Sequence, residues 1–189
     1  MNILEIRTLR GPNYWSGYWK KLIIMLFPPG TPSRIPIFSI TGTNGKTTTT
    51  RLLAHILKNS GRTVGFTTTD GTYIGNQCIV QGDNTGPVSA HLVLKDPTVD
   101  VAVLETARGG IIRAGLGFDY CDIGIVTNIA ADHLGMKDIN TLEDLARVKS
   151  VVPRAVSRKG YAVLNAEDEH DRNSLPFRDM GYPLPDPVS

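Results

Sequence analysis

The sequence predicts an α/β domain built on a mostly parallel, doubly wound sheet. Two observations carry that expectation. From Ile35 to about Glu169, short apolar runs alternate with helix-patterned segments, an order that builds parallel strands joined by crossover helices. The chain also has 189 residues, enough for one such domain with tails and too few for a second full one.

Composition narrows the function classes. The 20 basic and 18 acidic residues are well mixed and leave a net charge of +2, which gives no electrostatic footprint for a nucleic acid or a membrane surface. The apolar run Leu22 to Phe27 is too short to span a bilayer, and Pro-Pro-Gly follows it rather than a cleavage site. Cys78 and Cys121 lie in unrelated contexts, so neither a disulfide framework nor a zinc cluster is expected, and a reducing cytoplasm is the default.

Three zones follow. Residues 1–34 carry Trp15, Trp19 and a Pro-rich linker at Pro28 to Pro32; residues 35–169 form the α/β domain; residues 170–189 lack a hydrophobic period and are rich in proline, as irregular tails are. Strands are expected near 36–41, 63–68, 100–105, 123–127 and 160–164. Thr72 to Val80, turning at Asn76, reads as a small hairpin decorating the sheet edge, and Val88 to Leu94 as a helix.

The first strand runs directly into Thr41-Gly-Thr-Asn-Gly-Lys-Thr47. Gly42 and Gly45 let successive backbone amides converge on one anion, and the next helix aims its positive end at the same point. Lys46 reaches outer phosphates and Thr47 holds magnesium in loops of this kind. The general pattern requires glycine where this chain has Ile40. Beyond the loop, Leu52, Leu53, Ile56 and Leu57 form i, i+4 pairs on a helix that Gly61 can close.

Ligands of parallel sheets sit beyond the carboxyl ends of strands. Val101 to Glu105 ends one run with a carboxylate, Ile123 to Asn128 ends another with an amide, and Asp132-His133 follows. A strand-ending glutamate is ordinarily a solvated charge and a lone histidine ordinarily structural. Their shared location makes Thr47 with Glu105 a sensible magnesium site and His133 a candidate ligand for a second ion. Lys149 is reached independently: Thr141 and Asp144 make a capping box, and Leu142, Leu145 and Val152 put Lys149 on the inward face of the helix that follows. Such a lysine either snorkels to solvent or is functional. Pro153 then ends or kinks the helix.

Taken together, Thr41 to Thr47, Leu104-Glu-Thr-Ala-Arg-Gly-Gly-Ile111, Thr127-Asn-Ile-Ala-Ala-Asp-His-Leu134 and Lys149 resemble the central ATP-binding domain of the Mur ligase superfamily. Gly82-Asp-Asn-Thr-Gly-Pro87 and the Glu105 to Gly110 string resemble the cyanophycin synthetase family within it, and the likeness runs from about Leu26 to Glu169. The segment Met1 to Ser16 resembles the start of the same family.

The resemblance implies that Gly42, Thr43, Asn44, Gly45, Lys46, Thr47 and Thr48 hold ATP and that Asn128 lines the nucleotide site. It implies that Thr47, Glu105 and His133 serve Mg2+, and that Lys149 matches a lysine that many relatives carbamylate. Arg108 meets an acidic substrate or makes a surface salt bridge. The implied reaction joins arginine to aspartate β-carboxylates of polyaspartate through an acyl phosphate. The family's ATP-grasp module and carboxyl-terminal Mur domain have no counterpart here. The expectation is therefore an internally deleted, truncated chain that binds nucleotide with weak or no ligation, unless a partner chain supplies the missing domains. The competing readings are a ligase of the folylpolyglutamate or peptidoglycan-precursor branches, and a noncatalytic nucleotide-binding remnant.

Overall fold

The computed structural model describes residues 33–131 and 141–168, together with Met25. In chain order the elements are β1 (Ile37–Thr41), α1 (Lys46–Asn59), β2 (Val64–Thr67), β3 (Gly71–Ile74), β4 (Gln77–Gln81), α2 (Pro87–Lys95), β5 (Val101–Glu105), α3 (Arg108–Ala114), β6 (Cys121–Val126), α4 (Leu142–Lys149), α5 (Val151–Arg154) and β7 (Val156–Val163). One seven-stranded sheet runs β4-β3-β2-β5-β1-β6-β7. Strands β2, β5, β1, β6 and β7 pair in parallel, whereas β3 pairs antiparallel with both β2 and β4. The hairpin about Gly75 and Asn76 thus lies at one edge, as its alternating sequence predicts.

Alternation along β5 explains why the sheet is covered on both sides. Val101 and Val103 pack with Ile40, Ala54, Val64 and Phe66 on the α1 side. Ala102 and Leu104 face the other way, toward Ile37, Ala90, Val93 and Leu94. A strand buried on both faces reads as a continuous apolar run, and Val-Ala-Val-Leu is one. A smaller third cluster of Val126, Ile129, Leu145 and Ala146 seats α4 beside the carboxyl end of β6.

Helix α1 turns differently from its apolar pattern. Thr50 and Ala54 are its buried residues and Leu53 and Leu57 pack against the core, but Leu52 and Ile56 are 59% and 55% exposed. Four apolar residues at 52, 53, 56 and 57 span more of the helix than one sheet can cover, so the sheet takes one pair and small Thr50 and Ala54 make the closest approach. Gly61, with φ 85°, follows the helix as the pattern anticipates. Strand β7 starts at Val156, ahead of the apolar run that marked it, because its early part Ser157 to Lys159 is polar. Both cysteines are free thiols; burial, with Asp122 nearby, pushes Cys121 up to about 12, leaving it inert at neutral pH.

Candidate nucleotide and metal site

The turn between β1 and α1 is held from both sides, and nearly every carbonyl in it has a named donor. The Thr127 amide donates to Thr41 O at 3.0 Å and the Thr49 amide to Gly45 O at 2.9 Å. Lys149 Nζ donates to Gly42 O at 2.6 Å and Lys46 Nζ to Thr43 O at 2.8 Å. Asn44 O accepts from Thr127 Oγ1 at 2.6 Å and from Asn128 Nδ2 at 3.2 Å. Loop carbonyls that are satisfied within the protein, those of buried Thr41 and Gly42 among them, leave the loop little reason to rearrange.

Two of the loop glycines are required by geometry. Gly42 has φ 147°, and a Cβ there would lie 1.9 Å from Thr127 Oγ1. Gly45 has φ 80° and precedes α1, whose start has no side-chain cap. The first amides of a helix lack intrahelical partners, so those of α1 remain suited to an anion at its positive end.

Behind the loop, Thr47 Oγ1 donates to Glu105 Oε2 at 2.9 Å and lies 3.3 Å from Thr69 Oγ1. Glu105 is 2% exposed, and its Oε1 has no hydrogen-bond partner among the described residues. Burial raises its carboxyl above the ordinary value, against the opposing pull of the Thr47 hydroxyl, the Lys46 charge and the Thr69 backbone amide, and Asp83 adds to the rise. A nearly buried carboxylate oxygen without a donor is costly, and a cation is what would satisfy it. A hard divalent ion taking oxygens from Thr47 and Glu105, with the rest from phosphate and water, fits these donors. No cluster of three acidic, histidine or cysteine side chains exists among the described residues, and an ion shared with phosphate needs none. His133 lies outside the described residues.

Lys149 is 3% exposed, so it sits on the inward face that its spacing from Leu142, Leu145 and Val152 assigns. The capping box is present, with the Asp144 amide on Thr141 Oγ1 at 3.1 Å and the Thr141 amide on Asp144 Oδ2 at 3.2 Å. Together with Gly42, Thr43, Lys46, Arg108 and Leu145, Lys149 lines a cleft of about 170 Å³. Among the described residues, three cationic side chains line it. Asn128 sits on the backbone of the loop, its Oδ1 accepting from the Asn44 amide at 2.9 Å.

The strings Gly82 to Pro87 and Glu105 to Ile111 meet in space. A Cβ on Gly110 would lie 2.8 Å from Thr85 O, and one on Gly117 would lie 2.9 Å from Pro87 Cα. Within the first string, Asp83 Oδ1 accepts from the Thr85 amide at 3.2 Å and from its hydroxyl at 2.7 Å. Asp83 and Thr69 escaped the sequence reading. Thr69 stands in an unpatterned turn after β2, and its approach to Thr47 is a tertiary contact that sequence spacing does not reveal.

Residues 40–177 match the Mur ligase middle domain. The chain is 67% identical, over 144 residues, to the cyanophycin synthetase of Synechocystis sp.; the match covers 76% of this chain and 16% of that protein. It thus spans about a sixth of the length of the cyanophycin synthetases it matches. Among solved structures, a UDP-N-acetylmuramoyl-L-alanyl-D-glutamate–2,6-diaminopimelate ligase superposes with a TM-score of 0.66 at 25% identity, covering 88% of this chain and 33% of that one. A bifunctional folylpolyglutamate synthase/dihydrofolate synthase, solved with Mn, AMPPNP and L-glutamate bound, superposes with a TM-score of 0.58 at 25% identity, covering 79% and 42%.

Proposed function

The chain belongs to the Mur ligase family as a middle domain, and on that premise we propose that it is the ATP-binding domain of an ATP-dependent acid–amino-acid ligase of the cyanophycin synthetase kind. The observation that carries the reading is the Thr47–Glu105 pair beneath the loop, with Glu105 Oε1 buried and unpartnered among the described residues. A turn that offers helix-start amides to phosphate, beside a buried carboxylate with an unpartnered oxygen among the described residues, suits a metal-bound triphosphate.

In the proposed reaction an aspartate β-carboxylate of polyaspartate attacks the γ-phosphorus of ATP. The bond to the β-γ bridging oxygen breaks and ADP leaves. The arginine α-amine then attacks the acyl carbon, an amide forms, and inorganic phosphate departs with the amine proton passing to solvent. Magnesium, held by Thr47 and Glu105 with His133 as a further candidate, would supply charge neutralisation on the phosphates. Lys46 leaves Thr43 O to meet the outer phosphates, and Lys149 and Arg108 add positive charge to the same cleft. This chain supplies positioning and electrostatics, and no nucleophile is needed.

Lys149 carries a second possibility within this reading. Carbamylation would replace its ammonium with an anionic oxygen group, breaking the bond to Gly42 O and turning a phosphate-side cation into a magnesium-orienting group. The cationic side chains at the cleft suit carboxylate and phosphate. Arginine placement is assigned to parts of the longer relatives outside the matched region, or to a partner chain, and the isolated chain ligates weakly or not at all.

Titration calorimetry with magnesium and a nonhydrolysable ATP analogue tests the nucleotide site, with one site per chain expected and its loss in Lys46→Ala. Phosphate release dependent on arginine and polyaspartate tests the ligase step. Analogue binding that ignores the Lys46→Ala change would remove the basis for the reading.

A further inference from the structure

The side chain of Thr127 does two things that the nucleotide reading leaves unexplained. Its hydroxyl donates to Asn44 O at 2.6 Å, and it occupies the space that any side chain on Gly42 would fill, 1.9 Å from an ideal Cβ. It reaches that place because β6 pairs in register with β1, Val126 opposite Thr41, so the residue after β6 arrives beside the loop. Next to it, Asn128 engages both backbone groups of the same residue, accepting from the Asn44 amide at 2.9 Å and donating to Asn44 O at 3.2 Å. The Thr43 amide donates to Asn128 O at 2.9 Å.

We propose that Thr127 is a positioning residue which, with Asn128, holds the Gly42–Asn44 segment in its anion-ready shape before any nucleotide arrives. The inference rests on the reading that this loop holds a triphosphate. With the Thr43 and Asn44 amides and the Asn44 carbonyl bound to the clamp, the amides from Gly45 onward are left to meet an anion, joined by the Lys46 side chain once it leaves Thr43 O. Preorganisation of this kind lowers the ordering cost of binding. Thr127 touches no reacting atom in this arrangement; it acts through the loop.

Thr127→Val keeps the branched shape and removes the hydroxyl. Losing one donor from a carbonyl that retains Asn128 Nδ2 is expected to weaken binding of the magnesium-bound ATP analogue by about tenfold, equivalent to about 1.4 kcal/mol. Thr127→Ser restores the hydroxyl and should return affinity to within about threefold, and the unfolding midpoint of either variant should move by less than about 4 °C. Amide hydrogen exchange, read without nucleotide, should accelerate about tenfold at Thr43 and Asn44 in Thr127→Val and stay unchanged in β2. Equal affinity and equal exchange in Thr127→Val and the parent chain would overturn the proposal, as would equal losses in the valine and serine variants. If the parent chain binds no analogue, the nucleotide reading fails, while the exchange rates still decide whether Thr127 holds the loop.

Discussion

Replacing Glu105 with glutamine separates what the side chain costs the fold from what it contributes to the site. Burial raises the Glu105 carboxyl above its ordinary value of 4.5, so protonation favours the folded state. The sign follows directly: the contribution is complete below the ordinary value and is lost as pH rises through the raised one. Above the raised value the wild-type chain carries an ionised, 2%-exposed carboxylate whose Oε1 has no donor among the described residues.

Glu105→Gln removes the charge, keeps the shape and still accepts from Thr47. An unsatisfied buried group costs about 1–3 kcal/mol, and glutamine still leaves one polar atom unpaired, so the gain is set at the low end, about 1 kcal/mol. For a chain of this size that is a rise of about 2–4 °C in unfolding midpoint. The advantage should shrink as pH falls, because the wild-type carboxyl then becomes neutral as well. Binding moves the other way: a neutral amide is a poor magnesium partner, and affinity for the magnesium-bound analogue should fall at least about tenfold. Thermal melts from pH 4 to pH 8 and calorimetry with and without magnesium measure both halves. A variant that is less stable at pH 7, or that keeps its magnesium dependence, refutes the reasoning.

Thr141→Ala removes the capping box that starts α4 and should cost about 1 kcal/mol, lowering the melting midpoint by about 2–4 °C; an unchanged midpoint contradicts the cap. Gly110→Ala would drive a methyl to 2.8 Å from Thr85 O, a backbone atom that cannot swing away, with an expected loss of about 1–3 kcal/mol in denaturant unfolding. Lys149→Met takes the donor from the buried Gly42 O and should weaken analogue binding about tenfold, with a loss of about 1–3 kcal/mol in denaturant unfolding from the carbonyl left unpaired. Labelled bicarbonate added to the wild-type chain should give a carbamate carbon signal that Lys149→Met lacks, if Lys149 is modified.

The parts of this site legible in the sequence are those fixed by local chemistry. Gly42 and Gly45 announce a tight turn, β1 and β5 announce themselves as apolar runs, and the spacing of Leu142, Leu145 and Val152 after the Thr141 capping box set the phase of α4 well enough to turn Lys149 inward. The order of strands placed Glu105 at a carboxyl end, where it meets Thr47. What remained hidden depends on tertiary approach. Nothing in the neighbourhood of Thr69 marks it as reaching Thr47, and nothing in Thr127 shows that its hydroxyl fills the space above Gly42. The apolar pattern of α1 could not say which pair faces the sheet, because Leu52 with Ile56 and Leu53 with Leu57 are equally periodic; packing against β2 and β5 decided it.

The most direct test of the central claim is a crystal structure of the chain with magnesium and a nonhydrolysable ATP analogue. The account predicts the phosphates at the start of α1, within hydrogen-bond distance of the amides from Gly45 to Thr47. It also predicts that Lys46 Nζ has moved off Thr43 O onto an outer phosphate, and that the metal bridges the analogue to Thr47 and Glu105. Phosphates bound elsewhere, or a Lys46 still donating to Thr43 O with Glu105 Oε1 left bare, would contradict it.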